Sequence, residues 1–364
     1  MTGIYLHVPF CHSKCIYCDF YSIADRRLLA EYARGVIREY VARKEELSEP
    51  VSTIYLGGGT PSILPIDLLS EIVSHLPLNE VEEFTIEVNP EDVTTENVTM
   101  WRELGINRIS MGVQSLDDGM LKWMRRRHTV ADALTAIETI RAGGINNISC
   151  DLIYGLPGLS AESWRKDLTR LLSMPINHLS AYCLTYSRGT ALYHQWEQGK
   201  VIPAEDDLIA SQFAILREET ARAGFEHYEI SNFARPGFKS RHNSLYWSPQ
   251  GKWLGLGPAA HSFDGSVRRI DIANTSKWLE MLPEPYEIDE EDELNRINDL
   301  IMTGLRTAQG LDLAIFDDGT RSKIEQDAHP FLETGKMHRN GAVLTINRDY
   351  WLVSDSIIRE LMQI

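Results

Sequence analysis

The chain has 364 residues, of which 43% are hydrophobic and 24% charged, as is typical of a soluble globular protein. Its length predicts one large domain and a smaller one. The net charge of −16 opposes nucleic-acid binding, because a polyanion is repelled on average. We expect no transmembrane helix or signal peptide. Five cysteines, an odd number, argue against a disulfide framework and for a cytoplasmic protein.

The first predicted strand, residues 4–8, ends at Pro9 and leads into a loop with three of the five cysteines. Cys11, Cys15 and Cys18 have the spacing C-x3-C-x2-C. Structural zinc sites use four ligands, usually in two pairs, and no second pair is present. A cubic [4Fe–4S] cluster also needs four ligands, so three cysteines leave one iron open. The loop therefore predicts an iron–sulfur cluster, and a zinc loop or three unrelated thiols is the alternative.

Strand and helix patterns alternate as far as residue 184. Later strands are predicted at residues 51–56, 84–88, 108–113, 147–154 and 178–184, and helices at 22–47, 65–76, 95–104, 131–142 and 160–172. This alternation predicts a parallel sheet wound right-handed with helices outside, and six units fall short of the eight in a full barrel. Because such folds bind ligands at the carboxyl ends of their strands, the residues after each strand are candidates for a site.

Glycines and polar side chains lie at these strand ends. Residues 57–61 read Gly-Gly-Gly-Thr-Pro, whose backbone could approach a ligand closely, although the run also suits a plain turn. Glu87 ends the third strand, where a solvated face is the alternative, and Gln114 follows the fourth. Asp151 lies in an apolar strand and would be costly to bury unless ribose hydroxyls or other donors satisfied it. Arg126 is in a run of three arginines, which is also typical of a solvated helix end.

The cysteine spacing and its flanks resemble the radical S-adenosylmethionine (SAM) superfamily. The matching flanks are Tyr5, the pair Pro9-Phe10, and Tyr17 before the last cysteine. The resemblance implies a partial (β/α)6 barrel, open on one side, whose cluster has its free iron chelated by SAM. The SAM contacts that it implies are Tyr5, Tyr17, Gly58, Gly59, Thr60, Glu87, Gln114, Arg126 and Asp151.

The second half of the chain is less regular. Asp264-Gly265 predicts a hairpin turn, and the acidic, proline-containing residues 283–293 are the linker candidate. Predicted elements in this half are helices at residues 192–198, 205–223 and 294–305, a helix from Leu311, and a hairpin of residues 342–347 and 350–353 before a last helix. The predicted fold class is therefore α/β, with a radical SAM core (1–187), an extension (188–285) and a smaller α+β, winged-helix-like C-terminal domain (286–364).

Residues 4–355 are similar to the coproporphyrinogen-dehydrogenase-like group of this superfamily. That group contains oxygen-independent coproporphyrinogen III oxidases of the HemN type and HemW-type heme chaperones. Three features favour the chaperones. The oxidases carry a further cysteine where this chain has Phe20, and they have a longer extension than the ten residues before Cys11. Residues 242–247, His-Asn-Ser-Leu-Tyr-Trp, match the HNxxYW signature that is implicated in heme binding.

The resemblance therefore implies a heme chaperone that binds a [4Fe–4S] cluster and SAM and delivers heme to client hemoproteins. The alternative is the oxidase of porphyrin biosynthesis, which decarboxylates coproporphyrinogen III with a 5′-deoxyadenosyl radical. A radical SAM RNA modifier is a third reading, opposed by the negative charge. His242 is the expected heme ligand because imidazole commonly ligates heme iron, although a packed capping loop would show the same residues. Family behaviour suggests respiratory-chain clients and a cluster-dependent homodimer. Membrane contact and enzymatic activity stay open.

Overall fold

A computed structural model describes residues 1–290 and 292–363 of the chain, which folds around one twelve-stranded sheet and a small three-stranded one. The centre of the large sheet consists of six parallel strands in sequential order. They are β1 (Thr2–Val8), β2 (Val51–Gly58), β3 (Glu83–Val88), β4 (Arg108–Gln114), β5 (Asn147–Tyr154) and β6 (His178–Cys183). The predicted partial (β/α)6 barrel is confirmed.

Helices connect these strands and cover their apolar face. They are α1 (Leu29–Arg43), α2 (Ile66–Val73), α3 (Thr95–Glu103), α4 (Asp118–Trp123), α5 (Val130–Ala142) and α6 (Ala161–Leu172). Ser160 caps α6, because its side chain accepts a hydrogen bond from the N–H of Ser163. Gly144, after α5, has φ +90°, a conformation that suits glycine at the end of a helix.

The first helix begins later than the predicted residue 22. Ile23 instead pairs with the cysteine loop, because its N–H donates to Pro9 O (2.7 Å) and its carbonyl accepts from Cys11 N (3.0 Å). Residues 22–28 therefore hold the cysteine loop in place and do not continue α1.

The second half of the chain extends the sheet at both edges. Its helices are α7 (Ala191–Glu197), α8 (Asp206–Arg222), α9 (Arg241–Tyr246) and α10 (Thr275–Met281), and its strands are β7 (Glu226–Glu229), β8 (Asn232–Ala234), β9 (Lys252–Leu256), β10 (His261–Phe263), β11 (Arg268–Asp271) and β12 (Tyr286–Asp289). Strand β9 pairs parallel with β1, and β8 pairs antiparallel with β6. The hairpin turn at Asp264-Gly265 is confirmed between β10 and β11.

The linker prediction is wrong for residues 286–289, which form β12 at the edge of the large sheet. The strand is held by Tyr286, whose ring lies under the guanidinium groups of Arg43 (4.6 Å to the ring centroid) and Arg269 (5.8 Å). Glu291, in the same predicted linker, lies outside the described residues.

The C-terminal segment contains α11 (Glu293–Leu305), β13 (Leu311–Asp312), α12 (Asp318–Glu333), β14 (Met337–Asn340), β15 (Val343–Ile346) and α13 (Ser354–Leu361). Its strands form an antiparallel sheet in the order β13–β15–β14. Two predictions are corrected here. Leu311 begins a strand, and the helix starts only after Asp317, whose carboxylate caps it. The hairpin partner of β15 is β14, because residues 350–353 belong to the 3-10 helix Arg348–Val353.

The division into three domains stays a prediction. Among the described residues, no helix is long and apolar enough to cross a bilayer.

Candidate cofactor site

A cavity of about 430 Å³ opens at the carboxyl ends of the parallel strands, a size common for small-molecule sites. The predicted site residues on its wall are Cys11, Cys15, Tyr17, Cys18, Gly58, Gly59, Thr60, Glu87, Gln114, Arg126 and Asp151. The structure therefore brings the cysteines and most of the expected SAM contacts to one place. Of the predicted residues, only Tyr5 and His242 do not line the cavity.

The loop of three cysteines is anchored by backbone hydrogen bonds on more than one side. Besides the pairing of Cys11 with Ile23, Ile16 donates to Met124 O (3.4 Å) and its carbonyl accepts from Leu192 N (2.8 Å). The loop thus lies between the end of α4 and the start of α7.

Two side chains donate toward cysteine sulfurs. Thr60 Oγ1 is 3.5 Å from Cys11 Sγ, and Arg126 Nη1 is 3.7 Å from Cys15 Sγ. Such donors suit thiolates that carry negative charge. Among the described residues, no three His, Cys, Asp or Glu side chains converge closely enough to hold a single metal ion. A cubic cluster makes no such demand, since each cysteine binds a different iron.

Arg126 is fixed in the cavity wall and retains an unused donor. Its Nη2 donates to Asn89 Oδ1 (2.6 Å) and to Gly112 O (2.7 Å). Its Nε is buried and has no hydrogen-bond partner among the described residues, so a carboxylate in the cavity could occupy it. Asn89 also donates to Thr60 Oγ1 (3.3 Å). Sequence reasoning missed Asn89, although its place after the third strand was a signal.

Glu87 is a half-buried carboxyl near the end of β3. Tyr55 Oη donates to its Oε1 (2.8 Å), and the N–H of Gly58 donates to its Oε2 (3.1 Å). Burial raises the pKa of Glu87 to about 7, against the lowering effect of the Tyr55 hydrogen bond. The side chain is therefore poised between its neutral and charged forms near neutral pH.

Asp151 faces the same cavity from β5. Ser110 Oγ lies 3.5 Å from its Oδ1, and burial raises the pKa of Asp151 to about 6. The costly apolar burial expected from the sequence is therefore only partly relieved by neighbouring hydroxyls. A ligand with hydroxyl or ammonium donors would complete its hydrogen bonding.

Gln114 has a backbone conformation that few non-glycine residues adopt, with φ +68°. The register between β4 and β5 shifts between Gly112 and Gln114, which is a bulge at the cavity wall. Bulges redirect side chains near binding sites, and strained residues cluster there. Gln114, an expected SAM contact, thus lies on the cavity wall.

Tyr5 and His242 lie deeper in the barrel. Tyr5 Oη is 3.1 Å from His7 Nδ1 and is not at the cavity wall. The His242 ring is fully buried, and both of its nitrogens are engaged, Nδ1 with Thr53 Oγ1 (2.8 Å) and Nε2 with Tyr246 Oη (2.9 Å). Heme ligation by His242 stays a prediction, and this geometry does not favour it, because iron would have to displace a hydrogen bond within the core.

Two aromatic side chains that were not predicted as site residues lie at the mouth of the cavity. Phe20 is 63% exposed and Tyr182 is 45% exposed. Of the two remaining cysteines, Cys150 is buried, whereas the half-buried Cys183 reaches the cavity wall.

Residues 5–171 match the family model of the radical SAM superfamily. The fold and the cysteine loop therefore define a radical SAM protein. A heme chaperone HemW from Lactococcus lactis is 31% identical, over 89% of this chain and 86% of the relative. A heme chaperone HemW from Mycobacterium tuberculosis is 33% identical, over 99% and 94%. The chain belongs to the HemW heme chaperone family.

A solved structure shows the same fold. Coproporphyrinogen III oxidase (HemN) from Escherichia coli, described as a radical SAM enzyme, superposes with a TM-score of 0.85 over 100% of this chain and 90% of that one. The two sequences are 20% identical, so the likeness concerns the fold alone.

Proposed function

We propose that this chain binds a [4Fe–4S] cluster through Cys11, Cys15 and Cys18, binds SAM beside it, and carries heme to client hemoproteins. The observation that carries the proposal is that the cysteine loop shares one cavity with an unused arginine donor and two half-buried carboxyls, Glu87 and Asp151. SAM bears a carboxylate, an ammonium group and ribose hydroxyls, and each has a complementary group on this wall.

The chain's own residues would bind and orient SAM. The three cysteines would hold the cluster, and a bound cluster would supply the electron for reductive chemistry on SAM. Arg126 would hold the carboxylate through its free Nε, and Glu87 would accept from the ammonium group. Asp151 and Gln114 would hydrogen-bond ribose hydroxyls.

The mouth of the cavity supports a role in carrying heme. Phe20 and Tyr182 offer flat apolar area to a porphyrin, and Lys14 and Arg125 are exposed beside them on the same cavity. These cations stand out in a chain with net charge −16 and could pair with heme propionates. The relatives named heme chaperone supply independent support for heme as the cargo.

The test uses full-length protein with its cluster reconstituted without oxygen. We expect iron and sulfide to be retained, SAM to bind only after reconstitution, and added heme to bind and then pass to an apo-hemoprotein acceptor. Phe20→Ala should weaken heme binding, whereas Ile288→Ala, which removes an exposed apolar side chain on β12, should not. Decarboxylation of coproporphyrinogen III at enzyme-like rates would instead support the oxidase.

A further inference from the structure

Helix α9 closes the end of the barrel opposite the cavity. The N–H groups of Arg241 and His242 donate to the carboxylate of Glu83, the first residue of β3, at 3.1 and 2.9 Å. The fit is close, because a Cβ at Gly3 would lie 2.6 Å from Leu245 Cδ1. The HNxxYW signature begins in this helix, so part of it lies within the barrel base.

The imidazole of His242 packs against Tyr5 and Tyr55, which lie between the base of the barrel and the cavity. Its ring lies 5.2 Å from that of Tyr55, with 28° between the planes, and 6.4 Å from that of Tyr5, with 30°. Thr53 and Tyr246 hold the imidazole at its two nitrogens. The Tyr55 ring therefore cannot move toward the base without displacing the His242 ring, which Thr53 and Tyr246 hold in place.

Tyr55 joins this packed base to the cavity wall. Its ring rests on His242, and its hydroxyl donates to Glu87 Oε1 at 2.8 Å. Glu83 and Glu87 lie on the same face of β3, since side chains alternate along a strand. The base and the site are therefore connected both through one strand and through one aromatic ring.

Both nitrogens of His242 are engaged inside the core, so neither is free to bind iron. Burial lowers the pKa of His242 to about 3, so its ring is neutral at pH 7. A neutral imidazole offers one donor and one acceptor, and the hydroxyls of Thr53 and Tyr246 complement either tautomer.

We propose that His242 is a positioning residue for the SAM site, which acts through Tyr55 to hold the Glu87 carboxylate, and that it is not a heme ligand. The inference rests on the proposed SAM site. It assigns part of the HNxxYW signature to the shape of that site, while heme would dock at the cavity mouth.

The test is a double-mutant cycle on SAM affinity. The dissociation constant of SAM is measured by equilibrium dialysis on cluster-reconstituted full-length protein for His242→Ala, Tyr55→Phe and the double variant. Each single change should weaken SAM binding about fivefold, as expected for one net hydrogen bond. The dissociation constant of SAM for the double variant should not exceed the larger of the two single-variant values, because both changes act on the same carboxylate. The Soret band of bound heme should be the same in His242→Ala as in the wild type.

His178→Ala is the matched control. His178 is equally buried and also bonded at both nitrogens, to Ser149 and Tyr228, but within residues 1–290 and 292–363 no hydrogen bond or ring contact joins it to Glu87. It should lower the melting temperature and leave SAM affinity unchanged. If His242→Ala does not fold, Tyr246→Phe takes its place in the cycle, since it removes the Nε2 partner and keeps the ring.

Independent, multiplying effects on SAM affinity would overturn the inference. So would a shifted Soret band with unchanged SAM affinity, which would restore His242 as a ligand. Failure of the reconstituted wild type to bind SAM would instead overturn the proposed function on which the inference rests.

Discussion

Replacing Gly59 with alanine would place the new Cβ in steric conflict with the start of the cysteine loop. A Cβ on Gly59 would lie 2.7 Å from Phe10 O, 2.8 Å from Val8 O and 3.1 Å from Cys11 Sγ. The two oxygens belong to the backbone and cannot rotate away as a flexible side chain could. The Gly59 N–H also donates to Val8 O (2.8 Å), so separating the segments would break a hydrogen bond.

The size of the effect follows from these contacts. Overpacking costs about 1–3 kcal/mol, and loss of the hydrogen bond to Val8 adds about 1 kcal/mol. Alanine recovers about 0.4–1 kcal/mol by restricting the unfolded chain, since φ at Gly59 is not positive. We expect Gly59→Ala to lower the free energy of unfolding by about 1–3.6 kcal/mol and to reduce the iron retained after reconstitution.

Urea unfolding and iron analysis under anaerobic conditions measure both quantities. Gly319→Ala is the control, because the nearest atom to its new Cβ is the carboxylate oxygen Asp317 Oδ1 at 3.2 Å, at an exposed helix start. The control should change stability by less than about 0.5 kcal/mol and leave iron content unchanged. Wild-type stability and iron content in Gly59→Ala would refute the steric argument.

Three further changes test other parts of the structure. Cys15→Ser should abolish iron retention and Cys150→Ser, in the apolar core, should not; equal iron in both by colorimetric assay would contradict the cluster assignment. Because burial raises the pKa of Glu87 to about 7, SAM affinity should increase as the pH rises from about 6 to about 8 and the carboxylate ionises. Glu87→Gln should remove the part of that dependence above about pH 7 in the same dialysis assay, while Asp151, whose pKa is raised by burial to about 6, accounts for the part below it. An unchanged slope between about pH 7 and 8 would assign it to another group. Arg43→Met leaves two buried carboxyls without their cation and should lower the free energy of unfolding by about 3–5 kcal/mol in urea. Arg34→Met, which removes an exposed pair on the same helix, should cost less than about 1 kcal/mol, and similar losses in the two would refute the burial argument.

The central strands were predictable because their signals are local. Each runs for six to eight residues of β-rich, largely buried sequence between helical segments, so pattern and spacing determine the topology. The wrong predictions concern segments whose structure depends on contacts between residues far apart in the sequence. Residues 286–289 form a strand because Tyr286 meets Arg43, more than two hundred positions away, and no local pattern reveals that contact.

The same distinction applies to the site. The cysteine loop and the strand-end polar residues could be predicted, since parallel strands bring their carboxyl ends to one edge. Asn89 and Tyr55 escaped prediction because their roles depend on partners. Asn89 matters through its contact with Arg126, and Tyr55 through its contact with Glu87. Neither residue type carries that information by itself.

The polar interior of this barrel explains why its base must be closed by a helix with free backbone donors. Side chains along β3 point alternately to its two faces. Glu83, four residues before Glu87, therefore lies on the same inward face as Glu87. Glu83 is buried, and a buried carboxylate is costly unless it is hydrogen-bonded. The first N–H groups of α9 supply those bonds, and Ser240 caps the helix beside them. A polar face at one end of the strands is therefore accompanied by a need for polar partners at the other, and the segment that supplies them brings His242 into the core.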